Sequence, residues 1–186
     1  MPTFARLQRE GAYGPLRSRE PLLSPLVWTT IATGRKPQDH GVLDFVEIDR
    51  DGKTVPVTRF RRRVPALWDL AAARGLASGF VGWYASFPAS DVAGFQVSDR
   101  LGFHQVKSAQ ATEGSTSPAG LAGDLARRFG ETLPDVRATR QRFLADPGAP
   151  IDGDGEARLL QLARIHATAE LYRPATPYLL DPSHPP

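Results

Sequence analysis

The chain has 186 residues, 41% of them hydrophobic, with 23 Lys plus Arg against 20 Asp plus Glu and no Cys. That is enough apolar material for one buried core, and it excludes a disulfide framework, a thiolate metal site and a cysteine nucleophile. The net charge of +3 is modest, and the 17 Gly and 17 Pro follow no period, which excludes collagen-like and repeat architectures.

In chain order, residues 3–10 read as a short helix with Phe4 and Leu7 on one face and Gly11 as a left-handed stop. Residues 13–19 read as a short strand. Ser24-Pro25 then opens a second helix, with Ser24 as N-cap, an apolar face of Trp28, Ile31 and Ala32, and Gly34 at its end. Residues 45–49 and 54–60 flank Arg50-Asp51-Gly52-Lys53, a two-residue hairpin signal. Residues 65–74 form a helix carrying Leu67, Trp68, Leu70 and Ala71, and residues 76–84 form a strand short and apolar enough to be buried. A further strand falls at 93–98 and a loop at 107–117. The last third is helical, with starts at Ser117-Pro118 and Leu133-Pro134 and a helix over 154–172 whose apolar face is Leu159, Leu162, Ile165 and Ala169. Pro174, Pro177, Pro182, Pro185 and Pro186 then predict a tail over 174–186 that does not continue the helix.

The lysines are Lys36, Lys53 and Lys107, so the cations are nearly all Arg, a bias that GC-rich coding produces as readily as phosphate recognition does. The densest group, Arg59, Arg61, Arg62 and Arg63, is not extended by a second basic stretch, so no nucleic acid partner is expected. No stretch is long and apolar enough for a membrane span or a signal peptide, which leaves the compartment undetermined. Glycine-rich phosphate loops are absent. Asp152-Gly153-Asp154-Gly155-Glu156 starts like a calcium loop, but Ala157 and Ala163 fill the positions that need Gly and Glu. His40, His104, His166 and His184 never pair at metal-ligand spacing.

The informative segment runs Leu23-Ser24-Pro25-Leu26-Val27-Trp28-Thr29-Thr30-Ile31-Ala32-Thr33-Gly34, followed by Pro37 and His40-Gly41-Val42. It places a hydroxyl at a helix N-terminus, where free N–H groups and the macrodipole favour an anion. Ser24 is therefore either a nucleophile or simply a cap. The segment resembles the nucleophile region of the alkaline phosphatase superfamily, in its type I phosphodiesterase/nucleotide pyrophosphatase branch. Gly11-Ala12-Tyr13-Gly14 before it, and Gly82-Trp83-Tyr84-Ala85-Ser86-Phe87-Pro88-Ala89 and Val97-Ser98-Asp99-Arg100 after it, fit the same branch in order and spacing.

The resemblance implies an α/β fold, with residues 1–173 as an incomplete alkaline-phosphatase-like domain containing part of a doubly wound sheet, a hairpin insert and a helical C-terminal third. It further implies that Ser24 is both nucleophile and metal ligand. Two divalent metal ions, zinc or similar, would assist attack on a small phosphate ester. His40 falls in the turn that closes the motif and reads as structural, and Asp44-Phe45 stands where nucleotide pyrophosphatases place an Asn. The strands that carry the other metal ligands in that superfamily have no counterpart here. The sequence thus reads as a piece of a hydrolase, inactive alone and open to self-association through exposed sheet edges, or as a non-catalytic remnant or binding module of the same fold.

Overall fold

A computed structural model describes residues 2–18, 20–101, 113–129, 135–181 and 183. The first helix, α1 (Pro2–Glu10), buries none of its residues. Gly11 ends it without a left-handed φ. Its N–H donates to Leu7 O at 2.9 Å, and a Cβ there would lie 2.9 Å from that same oxygen, so the position favours glycine for want of space rather than for a left-handed φ. Among the described residues the expected strand over 13–19 is absent, and residues 13–18 are exposed and irregular.

Two helices follow, α2 (Ser24–Thr33) and the single turn α3 (Pro37–His40), each ended by a left-handed glycine, Gly34 and Gly41. The hairpin pairs β1 (Val46–Ile48) with β2 (Thr54–Pro56), with Ile48 opposite Thr54. Its loop has three residues rather than two. Asp49 pairs with Lys53, Gly52 sits at φ 78°, and Asp49 Oδ1 accepts the N–H groups of Asp51 and Lys53 at 2.9 Å. The Asp-Gly signal located the turn, and the Asp49 carboxylate lengthened it.

After α4 (Leu67–Ala72), which buries Trp68, the chain enters a three-stranded sheet. Its strands, β3 (Gly79–Trp83), β4 (Phe95–Ser98) and β5 (Thr116–Ser117), lie in the order β3-β4-β5. The first pair is parallel and the second antiparallel. β4 is central and buried throughout. β3 is an edge and only half-buried, with Leu76 exposed, because helices cover its faces but among the described residues no strand lies beyond it. On one face Phe80 and Trp83 pack with Ala32 of α2 and with Ala66 and Trp68. On the other, Val81, Phe95 and Val97 meet α5 (Leu121–Phe129) and the last turns of the long helix α7 (Gly153–Leu180).

Between them lies α6 (Val136–Phe143), capped by Asp135, whose carboxylate accepts the Ala138 N–H at 2.9 Å. The starts expected at Ser117-Pro118 and Leu133-Pro134 differ in outcome. The former precedes α5 by three residues, with Thr116 Oγ1 accepting the Ala122 N–H at 3.1 Å, whereas the latter lies outside the described residues, as do His104 and His184.

Helix α7 departs furthest from expectation. Its buried residues are Leu159, Ala163, Ala167, Leu171, Ala175 and Leu179, while Ile165 is exposed. It also runs through Pro174 and Pro177 to Leu180 instead of giving way to a tail at 174. Each proline removes one N–H and crowds a carbonyl, but Leu171, Ala175 and Leu179 are anchored in the sheet-side core, and that burial outweighs the local preference. Asp152, the first residue of the calcium-like stretch, is this helix's N-cap, with Oδ1 accepting the Gly155 N–H at 2.7 Å.

Gly94 joins the crossover to β4, and a Cβ there would press on the Ser78 backbone, 2.9 Å from its nitrogen. Gly94→Ala should therefore lower stability by about 1–3 kcal/mol, the range for overpacking against an unyielding neighbour. Urea denaturation followed by circular dichroism measures it, with Gly120→Ala, which has open space around it, as the neutral control.

Candidate active site around Ser24

The N-terminus of α2 is reached from Leu23, and it is Leu23, not Ser24, that occupies the N-cap position. Val27 N–H donates to Leu23 O at 3.0 Å, and no side chain caps the helix. Ser24 is thus the first helical residue, half-exposed, and its hydroxyl has no partner among the described residues. Pro25 at the second position suits a helix start, since its missing N–H would be unpaired there anyway.

The buried face of α2 is Pro25, Leu26, Thr29 and Ala32, not the expected Trp28 and Ile31, which are 40% and 60% exposed. Three threonine hydroxyls return their hydrogen bonds to the helix, Thr29 to Pro25 O, Thr30 to Leu26 O and Thr33 to Thr29 O, which lets polar residues line a packed face. Trp28 lies one turn beyond Ser24 on the same side. Its ring meets the edge of Trp83 at 4.8 Å and lies 6.3 Å from Tyr84, and Trp83 Nε1–H donates to Trp28 O at 3.1 Å. Phe45 closes the group, 6.3 Å from Tyr84.

Behind α2, His40 is fully buried. Val42 N–H donates to its Nδ1 at 3.2 Å, so the neutral ring carries its proton on Nε2, which faces Thr30 Oγ1 at 3.0 Å. Burial holds its pKa below the usual imidazole value, and Asp39 only partly offsets that. The structural reading of His40 agrees with this placement. Asp44, at the position where a phosphate-holding Asn was the family expectation, is exposed and accepts its neighbour Phe45's N–H at 2.6 Å.

Asp99 had no role assigned from sequence. Its carboxylate accepts the N–H groups of Ala85 at 3.0 Å, Ser86 at 3.3 Å and Phe87 at 3.2 Å, which holds Ala85 at φ 57°. Burial pushes this carboxyl above the ordinary range, and the amide bonds and Arg100 pull it back only in part. Arg100 reaches the hairpin, donating to Pro56 O at 2.8 Å and Val57 O at 2.7 Å, and lies over the Phe87 ring. The signal available in the sequence was an acid and an arginine side by side directly after an apolar strand.

The arginine cluster divides in two. Arg59 donates to Ser90 Oγ at 3.2 Å, and Arg62 is held by Asp69 at 2.6 Å and by Val64 O, over the Trp68 ring. Arg61 and Arg63 are exposed. A cleft of about 290 Å³, lined by Thr33, Arg35, Asp39, Val64, Pro65 and Leu70, opens at the far end of α2 and does not include Ser24. Among the described residues no three of His, Cys, Asp or Glu converge to hold a metal ion, and no helix is long and apolar enough to cross a membrane.

Helices pack on both faces of a small mixed sheet, an α/β arrangement consistent with part of an alkaline-phosphatase-like fold. The chain belongs to the type I phosphodiesterase / nucleotide pyrophosphatase family, whose sequence profile matches residues 1–150. That family lies within the alkaline phosphatase superfamily and comprises phosphoric-ester hydrolases that are generally metal-dependent. The match takes in α5 and α6 as well as the sheet and ends before α7. No curated protein and no solved structure matches the chain.

Truncating Asp99 would remove the carboxylate that accepts three part-buried amides, at about 1–3 kcal/mol for each one left unpaired. Asp99→Ala should therefore destabilise the protein by about 3 kcal/mol or more, measured as the shift in urea midpoint, and Ser86→Ala by less because the amide acceptor remains.

Proposed function

We propose that this chain carries the nucleophile-bearing region of a phosphoric-ester hydrolase, with Ser24 attacking phosphorus in a small phosphate ester. The observation that supports it most is the Ser24 hydroxyl itself, half-exposed at the start of α2 and committed to no hydrogen bond, within the span matched by the family. In this reading the Ser24 Oγ–P bond forms as the bond from phosphorus to the leaving ester oxygen breaks, the hydroxyl proton passing to solvent and the leaving oxygen taking one up to depart as the alcohol. Water then attacks the phosphoserine and regenerates the hydroxyl.

The N-terminus of α2 contributes about 0.3–1 kcal/mol of anion stabilisation, up to about 2 where partly buried. Each tenfold in rate needs about 1.4 kcal/mol, so the helix alone does not activate a serine. No His or carboxylate among the described residues hydrogen-bonds Ser24. The residues do not fit a two-metal cage either, since no candidate cluster of three ligands forms among those described. That same observation favours the second reading, a non-catalytic module of the same fold.

Because Ser24 caps nothing, Ser24→Ala should change stability by less than about 0.5 kcal/mol, against about 1 kcal/mol for a lost cap. Hydrolysis of bis(4-nitrophenyl) phosphate, followed with zinc, magnesium or manganese added and with chelator, then tests the chemistry. Turnover that falls by about a thousandfold or more in Ser24→Ala would carry the nucleophile reading. Equal turnover by both proteins would remove Ser24 from the mechanism, and none by either under any metal would show that the chain as it stands does not hydrolyse the diester.

A further inference from the structure

We propose that His40 is a positioning residue for the Ser24 helix: a neutral imidazole, protonated on Nε2, that fastens α2 to the turn after α3 and releases it on protonation. The inference rests on Ser24 as the group that matters in α2, but its structural content stands apart from catalysis.

The geometry is a relay of single protons. Val42 N–H donates to Nδ1, Nε2–H donates to Thr30 Oγ1, and the Thr30 hydroxyl donates to Leu26 O at 3.0 Å. Every donor in that line has an acceptor, and the line ends on a carbonyl two residues from Ser24. The turn is held from its other side too. Arg63 N–H donates to His40 O at 3.0 Å, a Cβ on Gly41 would lie 3.0 Å from Arg61 O, and Val42 packs with Val57 and Ala85 in a small core.

A second proton can enter the ring only on Nδ1, where it would point at the Val42 N–H, donor against donor, in a site without solvent. The charged groups around it are Asp39 on its own helix and Arg61 and Arg63 from the segment packed against the turn, whereas α2 carries no charged residue between Ser24 and Thr33. Asp39 is exposed and only partly offsets the cost of an imidazolium there.

Burial lowers the His40 pKa in the folded state. As pH falls through about 6.5, the ordinary imidazole value, the opened or unfolded form takes up the proton first. The stabilisation is therefore complete above about pH 6.5 and is lost below it, by at most about tenfold in the opening equilibrium per pH unit for one proton.

Amide hydrogen exchange of the whole chain tests this, at about pH 7.5 and 5.5 and corrected for intrinsic rates, with α7 as internal reference. On acidification α2 should lose up to about tenfold more protection than α7. That step should vanish in His40→Gln, and ring nitrogen shifts should report the Nε2–H form at neutral pH. Thr30→Val leaves His40 in place and should lower α2 protection about tenfold already at about pH 7.5, which keeps the test decisive if His40→Gln does not fold. Ser24→Ala should keep the full pH step, so failure of the nucleophile reading would leave this result untouched. An α2 that follows α7 at both pH values, a His40→Gln step equal to that of the parent, or unchanged α2 protection in Thr30→Val would overturn the proposal.

Discussion

Asp99 gathers the amides of Ala85, Ser86 and Phe87 onto one buried carboxylate, and the placement of the Trp83–Tyr84 ledge follows from that. A chain leaving a parallel edge strand has no ladder to guide it, so its polar backbone must be satisfied from elsewhere. Here the acceptor comes from the end of the neighbouring strand, and the next residue, Arg100, carries the connection on to the hairpin carbonyls of Pro56 and Val57. Sheet, turn and hairpin are thereby tied by two adjacent side chains. The aromatic group that flanks α2 is fixed as a result, because Trp83 both abuts Trp28 and donates to its carbonyl.

Much of this was legible in the sequence where local chemistry decides the outcome. Gly34 and Gly52 take the left-handed backbone their positions call for, and the hairpin, α4 and β4 fall where pattern and punctuation put them. What was not legible depends on tertiary context. Ser24-Pro25 is a strong cap signature, yet the helix begins one residue early, because Leu23 supplies the carbonyl for Val27 and leaves the serine free. Trp28 and Ile31 look like core, but threonines that satisfy their own hydroxyls take the buried side. The role of Asp99 could not be read from spacing, since its partners lie more than ten residues away and are backbone groups.

The candidate site was legible to a different depth. The order of motifs pointed to the family that the profile match over residues 1–150 identifies. The arginine cluster, by contrast, needed the fold to be sorted. Arg59 and Arg62 are consumed by Ser90, Asp69 and the Trp68 face, so only Arg61 and Arg63 remain as exposed charge. A run of like charges is therefore a poor guide to a binding surface until internal partners are subtracted.

The buried residues of α7 recur at every fourth position from Leu159 to Leu179. Four residues turn an α-helix by roughly 400°, so each contact is rotated about 40° from the last and the first and last differ by roughly 200°. One end of α7 accordingly beds on α6, where Arg140 pairs with Glu156 at 2.8 Å and Phe143 meets His166, while the other beds on Val97 of the sheet and on Leu121 and Leu125 of α5. Such a helix behaves as an axle gripped on opposite sides at its two ends. Leu171 and Leu179 seat its far end in the sheet-side core, so a single helix joins α6 to the sheet through contacts on opposite sides.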